Sequence, residues 1–272
     1  MPSLRAHHCL VPLALAVAGP ALAQSTATYR VTFESVWSAA THPTAFPPAP
    51  HYSPLVGATH NSDVTLWEVG GLATNGIEVM AEIGSPTPLL NEIAALASTG
   101  VIGQSLRGDP MRLSPGVVSI EFETGSDHPL LTMVTMVAPS PDWFVGTQSL
   151  SLRDGDGWIQ RIEHELWPYD AGTDSGVSYR SPNFDTQPPE PIARIASEFP
   201  FTGTPALGTY TIELIDVACT ADFDDDGDLS IFDFLAYQNA FDAGSPVADL
   251  DGDGTLTLFD FLEFQNAFDA GC

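Results

Sequence analysis

TYRVTFESVW, residues 28–37, decides the fold class. It is a run of β-branched and aromatic residues with polar ones interleaved, the composition of a strand half-buried on a sheet. Runs of the same kind recur at 64–67, 117–123, 130–137 and 209–217, separated by Gly, Pro, Ser and Asn. That pattern predicts an all-β domain, with one helix at 88–97 (PLLNEIAALA), where the apolar residues fall at helical spacing. Alternation of strands with helices is absent, so a two-sheet antiparallel sandwich fits better than a barrel or an α/β sheet. Residues 185–208 are Pro-rich with little pattern and are expected to form a long loop, or a wrap across the sandwich, before the last strand. The 23 Pro and 23 Gly in the chain agree with short strands and many turns.

Composition excludes some partners. The 272 residues hold 35 Asp+Glu against 8 Lys+Arg, all of them Arg, for a formal net charge of −27. Phosphates would be repelled, so nucleic acid is not an expected partner. At 44% hydrophobic and 10% aromatic, the chain is not a disordered acidic tail. Residues 1–23 read as an export signal: Arg5, an apolar run from Leu10 to Ala18 too short to span a bilayer, and a small-residue cleavage site ending at Ala23. The product is expected to be secreted or held at the cell surface, with no transmembrane span. Cys9 leaves with the signal, and Cys219 and Cys272 then bracket the last segment. A disulfide between them is expected in an oxidising compartment; unpaired thiols, or attachment through Cys272, are the alternatives.

That last segment, 219–272, repeats itself at an offset of 27 residues. Calcium loops of twelve residues place side-chain oxygens at positions 1, 3 and 5, glycine at 6, a backbone carbonyl at 7 and a carboxylate at 12. The first copy supplies Asp222, Asp224, Asp226, Gly227, Asp228 and Asp233 at those positions. The second supplies Asp249, Asp251, Asp253, Gly254, Thr255 and Asp260. Each loop leads into one amphipathic helix, with Phe234, Tyr237 and Phe241 matching Phe261, Phe264 and Phe268 as the core of a miniature domain. So small a domain needs metal and a disulfide to hold it. Paired loop–helix units with Asp at position 12 resemble dockerin domains, here of the kind that ends bacterial exported proteins. The resemblance implies calcium-dependent docking to a surface or matrix component, cohesin-like or other. Positions 10 and 11, often hydroxyl residues in cellulosomal dockerins, are Ile231-Phe232 and Leu258-Phe259.

The larger piece has its own acids: Asp142 in SPDWFVG (140–146), and Asp170 and Asp174 in PYDAGTDSGVSYRSPNF (168–184). Three carboxylates close together are costly unless a cation neutralises them. Spacing alone leaves ordinary surface-turn acids equally open. These stretches, together with TYRVTFESVWSAATHPTAFP (28–47) and SPLVGATHNSDVTLWEVGGLATNGI (53–77), closely resemble the spondin N-terminal domain of the F-spondin and mindin family, over residues 27–217. The resemblance implies a C2-like antiparallel β-sandwich with calcium held at one end by Asp142, Asp170 and Asp174. With the tail loops, about three calcium ions are expected in all.

Several other patterns carry less. Arg107-Gly108-Asp109 is a tripeptide that arises readily by chance. His164-Glu165 begins an H-E-x-x-H zinc motif that Pro168 ends. No His sits in a recognisable partner motif for a nucleophilic Ser. The tryptophans at 37, 67, 143, 158 and 167 are expected in the sandwich core rather than on a sugar-stacking face. The sequence thus points to a non-enzymatic calcium-binding adhesion or recognition protein, with a glycan or protein ligand on its β domain. A polysaccharide-active hydrolase anchored by the tail, or a purely structural matrix component, are the alternatives.

Overall fold

The alternation in TYRVTFESVW is realised as a strand whose Tyr29, Val31, Phe33 and Ser35 are buried while Arg30 and Glu34 face solvent. The computed structural model describes residues 26–270, apart from 156, 196, 197, 225, 227 and 228. The expected export signal and the proposed ligand Asp228 therefore lie outside the described residues.

The described residues fall into two compact units, 26–220 and 221–270. In the first, the elements in chain order are β1 (Thr26–Ser35), β2 (His51–Tyr52), β3 (Pro54–His60), α1 (Asn75–Ile83), α2 (Thr87–Ala97), β4 (Ile102–Pro110), β5 (Gly116–Gly125), β6 (Leu130–Ala138) and β7 (Trp143–Ser151). There follow β8 (Arg153–Asp154), β9 (Gly157–Trp158), β10 (Arg161–Leu166), β11 (Tyr169–Asp170), β12 (Ala193–Arg194) and β13 (Gly208–Ala218). All pairings are antiparallel. One sheet runs β10-β13-β1-β5; the other runs β12-β11-β7-β6-β3-β4, with β2 also on β6. The unit is mostly β.

The two sheets bury one apolar layer between them, built from Tyr29, Phe33, Tyr210 and Ile212 on one side and Leu55, Leu131, Met133 and Val145 on the other. A second layer lies on the far face of the larger sheet, where Ile77, Met80, Leu89 and Ile93 of α1 and α2 pack on Val56, Val134, Met136 and Phe144. This explains two strand patterns. β1 has one wet face and alternates, whereas β6 (LLTMVTMVA) is buried on both faces and is apolar almost throughout. Of the tryptophans, Trp37, Trp67, Trp143 and Trp158 are buried.

Two elements depart from the sequence expectation. The helix at 88–97 is present as α2, but α1 before it was not foreseen. Its boundaries are set by Thr74, whose hydroxyl accepts from the Ile77 N–H, and by Gly84, which adopts φ 69° and closes the helix with an N–H to the Met80 carbonyl. Residues 64–67, expected as a strand, form a loop. Trp67 holds that loop down through its indole N–H, which donates to the Thr147 carbonyl at 3.1 Å.

In the second unit, α3 (Ile231–Asp242) and α4 (Leu258–Ala270) follow the two acidic loops, and a 3-10 turn at Pro246–Ala248 precedes the second. The Tyr237 and Phe264 rings, equivalent positions of the repeat, stack with centroids 4.3 Å apart and planes at 10°. Phe234, Phe241, Phe261 and Phe268 pack around them. Cys219 is disulfide-bonded. Both other cysteines, Cys9 and Cys272, lie outside the described residues.

Candidate metal centres

In the β domain, the pairing of β11 with β7 sets Asp170 opposite Trp143, directly beside Asp142. Asp142 is fully buried. Its Oδ2 gathers the turn that follows β11, accepting the Thr173 N–H at 2.8 Å and the Asp174 N–H at 3.0 Å, with the Thr173 hydroxyl at 3.2 Å. Gly172 permits that turn: it sits at φ +74°, and a Cβ there would collide with the Glu190 carbonyl. Asp170 Oδ1 accepts the Gly172 N–H at 2.8 Å. Asp174 accepts from Gly176 (2.7 Å) and Phe184 (3.0 Å).

These hydrogen bonds compensate the charge of the cluster only in part. Burial raises the pKa of Asp142, and the charge of Asp174 adds to the effect. Burial, then the charge of Asp142, pushes Asp170 up to about 6. None of the ion pairs among the described residues involves Asp142, Asp170 or Asp174. Asp142 Oδ1 is buried with no hydrogen-bond partner. A buried carboxylate oxygen left unpaired is an expensive feature, and a bound cation is the group that would satisfy it. The residues present therefore fit a calcium ion. The three carboxylates do not converge as tightly as those of the tail.

In the tail, Asp222, Asp224 and Asp226 each place a carboxylate oxygen within 4.8 Å of the others, and Asp249, Asp251 and Asp253 do the same. The fit to a cation is supported by Asp249 Oδ1, which is buried without a partner. Thr255 donates its N–H to Asp253 Oδ1 at 2.7 Å, folding the second loop back on itself.

The acids at position 12 do something the spacing did not reveal. Asp233 Oδ1 accepts the N–H groups of Phe223 (2.8 Å) and Asp224 (3.2 Å), and its Oδ2 accepts that of Ser230 (2.7 Å). Asp260 repeats the arrangement with Leu250, Asp251 and Thr257. Each is thus a staple between loop and helix, and Asp233 completes a capping box with Ser230. Burial works against the charge of Asp233, but these backbone N–H groups outweigh it and its pKa is lowered. For Asp260 the Thr257 N–H is the leading cause of a shift in the same direction. Neither belongs to the triplets.

Two residues whose interactions involve the β-domain acids escaped the sequence reading. Thr173 bridges to Asp142, and Glu82, on the unforeseen α1, lies within the fields of Asp142 and Asp174. No motif marks either of them. The Arg107-Gly108-Asp109 tripeptide lies inside β4, paired to β3, rather than on a loop.

Sequence comparison finds relatives of the β domain. The chain is 38% identical to human Spondin-2 over 182 residues, 65% of this chain and 55% of that protein. It is 40% identical to chicken Spondin-1 over 179 residues and 39% identical to bovine Spondin-1 over 179, in each case 63% of this chain and 22% of the relative. The match thus spans about half the length of Spondin-2 and about a fifth of Spondin-1. The sequence profile of the Spondin_N family matches residues 27–210, more than half of the chain, and the chain belongs to that family.

Proposed function

We propose that this chain is an exported, non-enzymatic, calcium-loaded adhesion or recognition protein. Its β domain would engage an extracellular protein or glycan ligand, and residues 219–272, as a dockerin-like tail, would dock to a cell-surface or matrix partner. The observation that carries the calcium reading is the pair of carboxylate triplets, equivalent at 27 residues' offset, each drawn together within 4.8 Å with no basic residue in the segment. Repulsion at that distance is relieved by a divalent ion and by little else in this chain.

In the first loop, Asp222, Asp224, Asp226 and Asp233 would hold the ion with the backbone carbonyl of Asp228. In the second, Asp249, Asp251, Asp253 and Asp260 would do so with the carbonyl of Thr255. Asp142, Asp170 and Asp174 would hold a third ion. Calcium supplies charge neutralisation and a rigid link between loop segments, not reaction chemistry. The exposed Ile231-Phe232 and Leu258-Phe259 pairs, 62 to 68% accessible, are the surface a docking partner would meet. Export is supported by the reading of residues 1–23, with cleavage near Ala23. Among the described residues no helix is long and apolar enough to cross a membrane. A Cys219–Cys272 disulfide would close the tail.

The test is a calcium titration of the full chain, followed by nuclear magnetic resonance or calorimetry, with capture from the parent envelope fraction with and without chelator. Saturable uptake of about three ions and calcium-dependent capture are expected. If the loop residues neither take up calcium nor change on its addition, the proposal is wrong.

A further inference from the structure

We propose that Trp167, Arg194 and Glu165 form a binding site on the β domain for an uncharged polysaccharide of equatorial pyranose units. The inference rests on the reading of this domain as the recognition part, and deepens it by committing the ligand to one class and the contact to named residues.

Trp167 departs from the core position expected of the tryptophans. The other four are buried, whereas Trp167 is half-buried. It lies where the chain crosses from one sheet to the other, after β10, an edge of the smaller sheet, and before β11, which pairs with the edge strand β12 of the larger one. The crossing is tied down on both sides. The Leu207 N–H donates to the Leu166 carbonyl at 2.8 Å, and the Ile195 N–H to the Pro168 carbonyl at 2.9 Å. The pairing of Tyr169 with Arg194 fixes the backbone that carries the arginine.

Two exposed charged side chains frame the indole. The Arg194 guanidinium lies over the ring, 4.3 Å from its centroid, and the indole N–H donates to Glu165 Oε2 at 3.2 Å. The two do not pair with each other. No ion pair among the described residues involves Arg194 or Glu165, and the Arg194 donors have no hydrogen-bond partner among them. In a chain with 35 Asp+Glu against 8 Arg, an arginine held on an aromatic face rather than on a carboxylate keeps its planar fork of donors for a ligand. An apolar ring, a donor and an acceptor thus meet around one indole. Sugar hydroxyls both donate and accept, so neighbouring hydroxyls match Arg194 beside Glu165, while the C–H face of a pyranose covers apolar indole surface. Charge selects among ligands. The formal −27 opposes a polyanion, and Glu165 would face it with like charge. A basic peptide would meet Glu165 but be opposed by Arg194.

The probe is cellohexaose, a soluble neutral oligosaccharide whose equatorial hydroxyls leave its ring faces apolar. It is titrated into the full chain in calcium and followed by calorimetry and tryptophan emission. Emission should change on binding in the parent and stay constant in Trp167→Phe, which removes the fluorophore at the site. Trp167→Ala and Arg194→Ala are each expected to weaken binding on the order of ten-fold. Arg107→Ala removes the same charge from β4, at the opposite edge of the larger sheet, and should stay within about two-fold. Arg194 is exposed, so its variant reports binding in a folded protein whatever Trp167→Ala does to stability. Unchanged binding in Arg194→Ala and Trp167→Phe places the sugar elsewhere and overturns the site. Equal weakening in Arg107→Ala overturns it as a general charge effect. Tighter binding of hexagalacturonate than of cellohexaose overturns the uncharged class. Neither heat nor an emission change with cellohexaose overturns the proposal. If calcium-dependent capture from the envelope fraction then persists, the recognition reading stands with another ligand; if that capture is lost too, the recognition reading falls with it.

Discussion

At the scale of single residues, Asp142 divides its two oxygens between the fold and the proposed cation. One oxygen organises the 173–174 turn through backbone N–H groups, and the other has no protein partner. Asp142→Asn keeps the shape and removes the charge. In chelator the variant is expected to melt at or above the parent temperature, because a desolvated charge is gone. With calcium at a hundred times its dissociation constant, the β-domain transition of the parent should gain about 2.7 kcal/mol, or roughly 5–10 °C, by calorimetry, and that of the variant should not. A gain of the same size in the variant would remove Asp142 from the site. His60 carries a different pH dependence. Its Nδ1–H donates to the Asn61 carbonyl at 2.7 Å, so Nε2 accepts from the Thr132 hydroxyl at 2.8 Å and the ring is neutral. Burial lowers its pKa below the ordinary 6.5, and the Asn61 carbonyl only partly offsets this. The unfolded chain then binds a proton that the folded chain refuses. The contribution is complete above 6.5 and is lost as pH falls through that value toward the folded pKa. In chelator, His60→Gln should show a shallower loss of stability on acidification, by up to about 1.4 kcal/mol per pH unit. His42 and His164 are shifted the same way by burial and will leave a residual slope.

At the scale of elements, the tail helices are held by a few large contacts. The stacked Tyr237–Phe264 pair is the centre of a small core, and truncation there has little to fall back on. Phe264→Ala should cost about 3–5 kcal/mol, enough to unfold so small a unit, and should be seen as loss of helical circular dichroism and rapid proteolysis after residue 220. Ser230→Ala removes one half of the capping box and is expected to cost about 1 kcal/mol, measured by chelator-free denaturant melts. In the sheets, Gly57 lies so close to Thr132 that a Cβ would strike its carbonyl, so Gly57→Ala should disrupt the β3–β6 pairing. Legibility also varies by element. β1 and α2 were readable because each has the periodicity of its class. α1 has nine residues, too few turns for its period to stand out, although Thr74 and Gly84 are fitting caps. Residues 64–67 read as a strand because Trp67 is apolar and buried, yet it is buried as a loop anchor.

At the scale of the whole molecule, the acid excess underlies the proposed dependence on divalent metal. A chain with a formal charge of −27 and no Lys has few internal counter-ions. Arg30, Arg161 and His128 are among the basic partners of its ion pairs. Chelation should therefore lower stability throughout, with the helical signal of α3 and α4 lost before that of the β domain, because the tail buries far fewer large side chains. Monovalent salt should recover part of this loss by screening, without restoring the parent melting curve. A chelated protein as stable as the calcium form would contradict the account.

The sequence by itself determined the strand periodicity, the acidic repeat and the resemblance that family membership bears out. These are local or near-local in the chain, and hydrophobic period or ligand spacing records them directly. It also determined which acids were candidates. Only the tertiary structure decided how those acids are used. It put Asp170 beside Asp142 through the β11–β7 pairing, gathered the Thr173 hydroxyl onto Asp142, and turned Asp233 and Asp260 into backbone staples. The physical reason is that a carboxylate's role depends on its burial and on which N–H groups, charges and hydroxyls surround it. Those neighbours come from distant segments, and no local pattern encodes them.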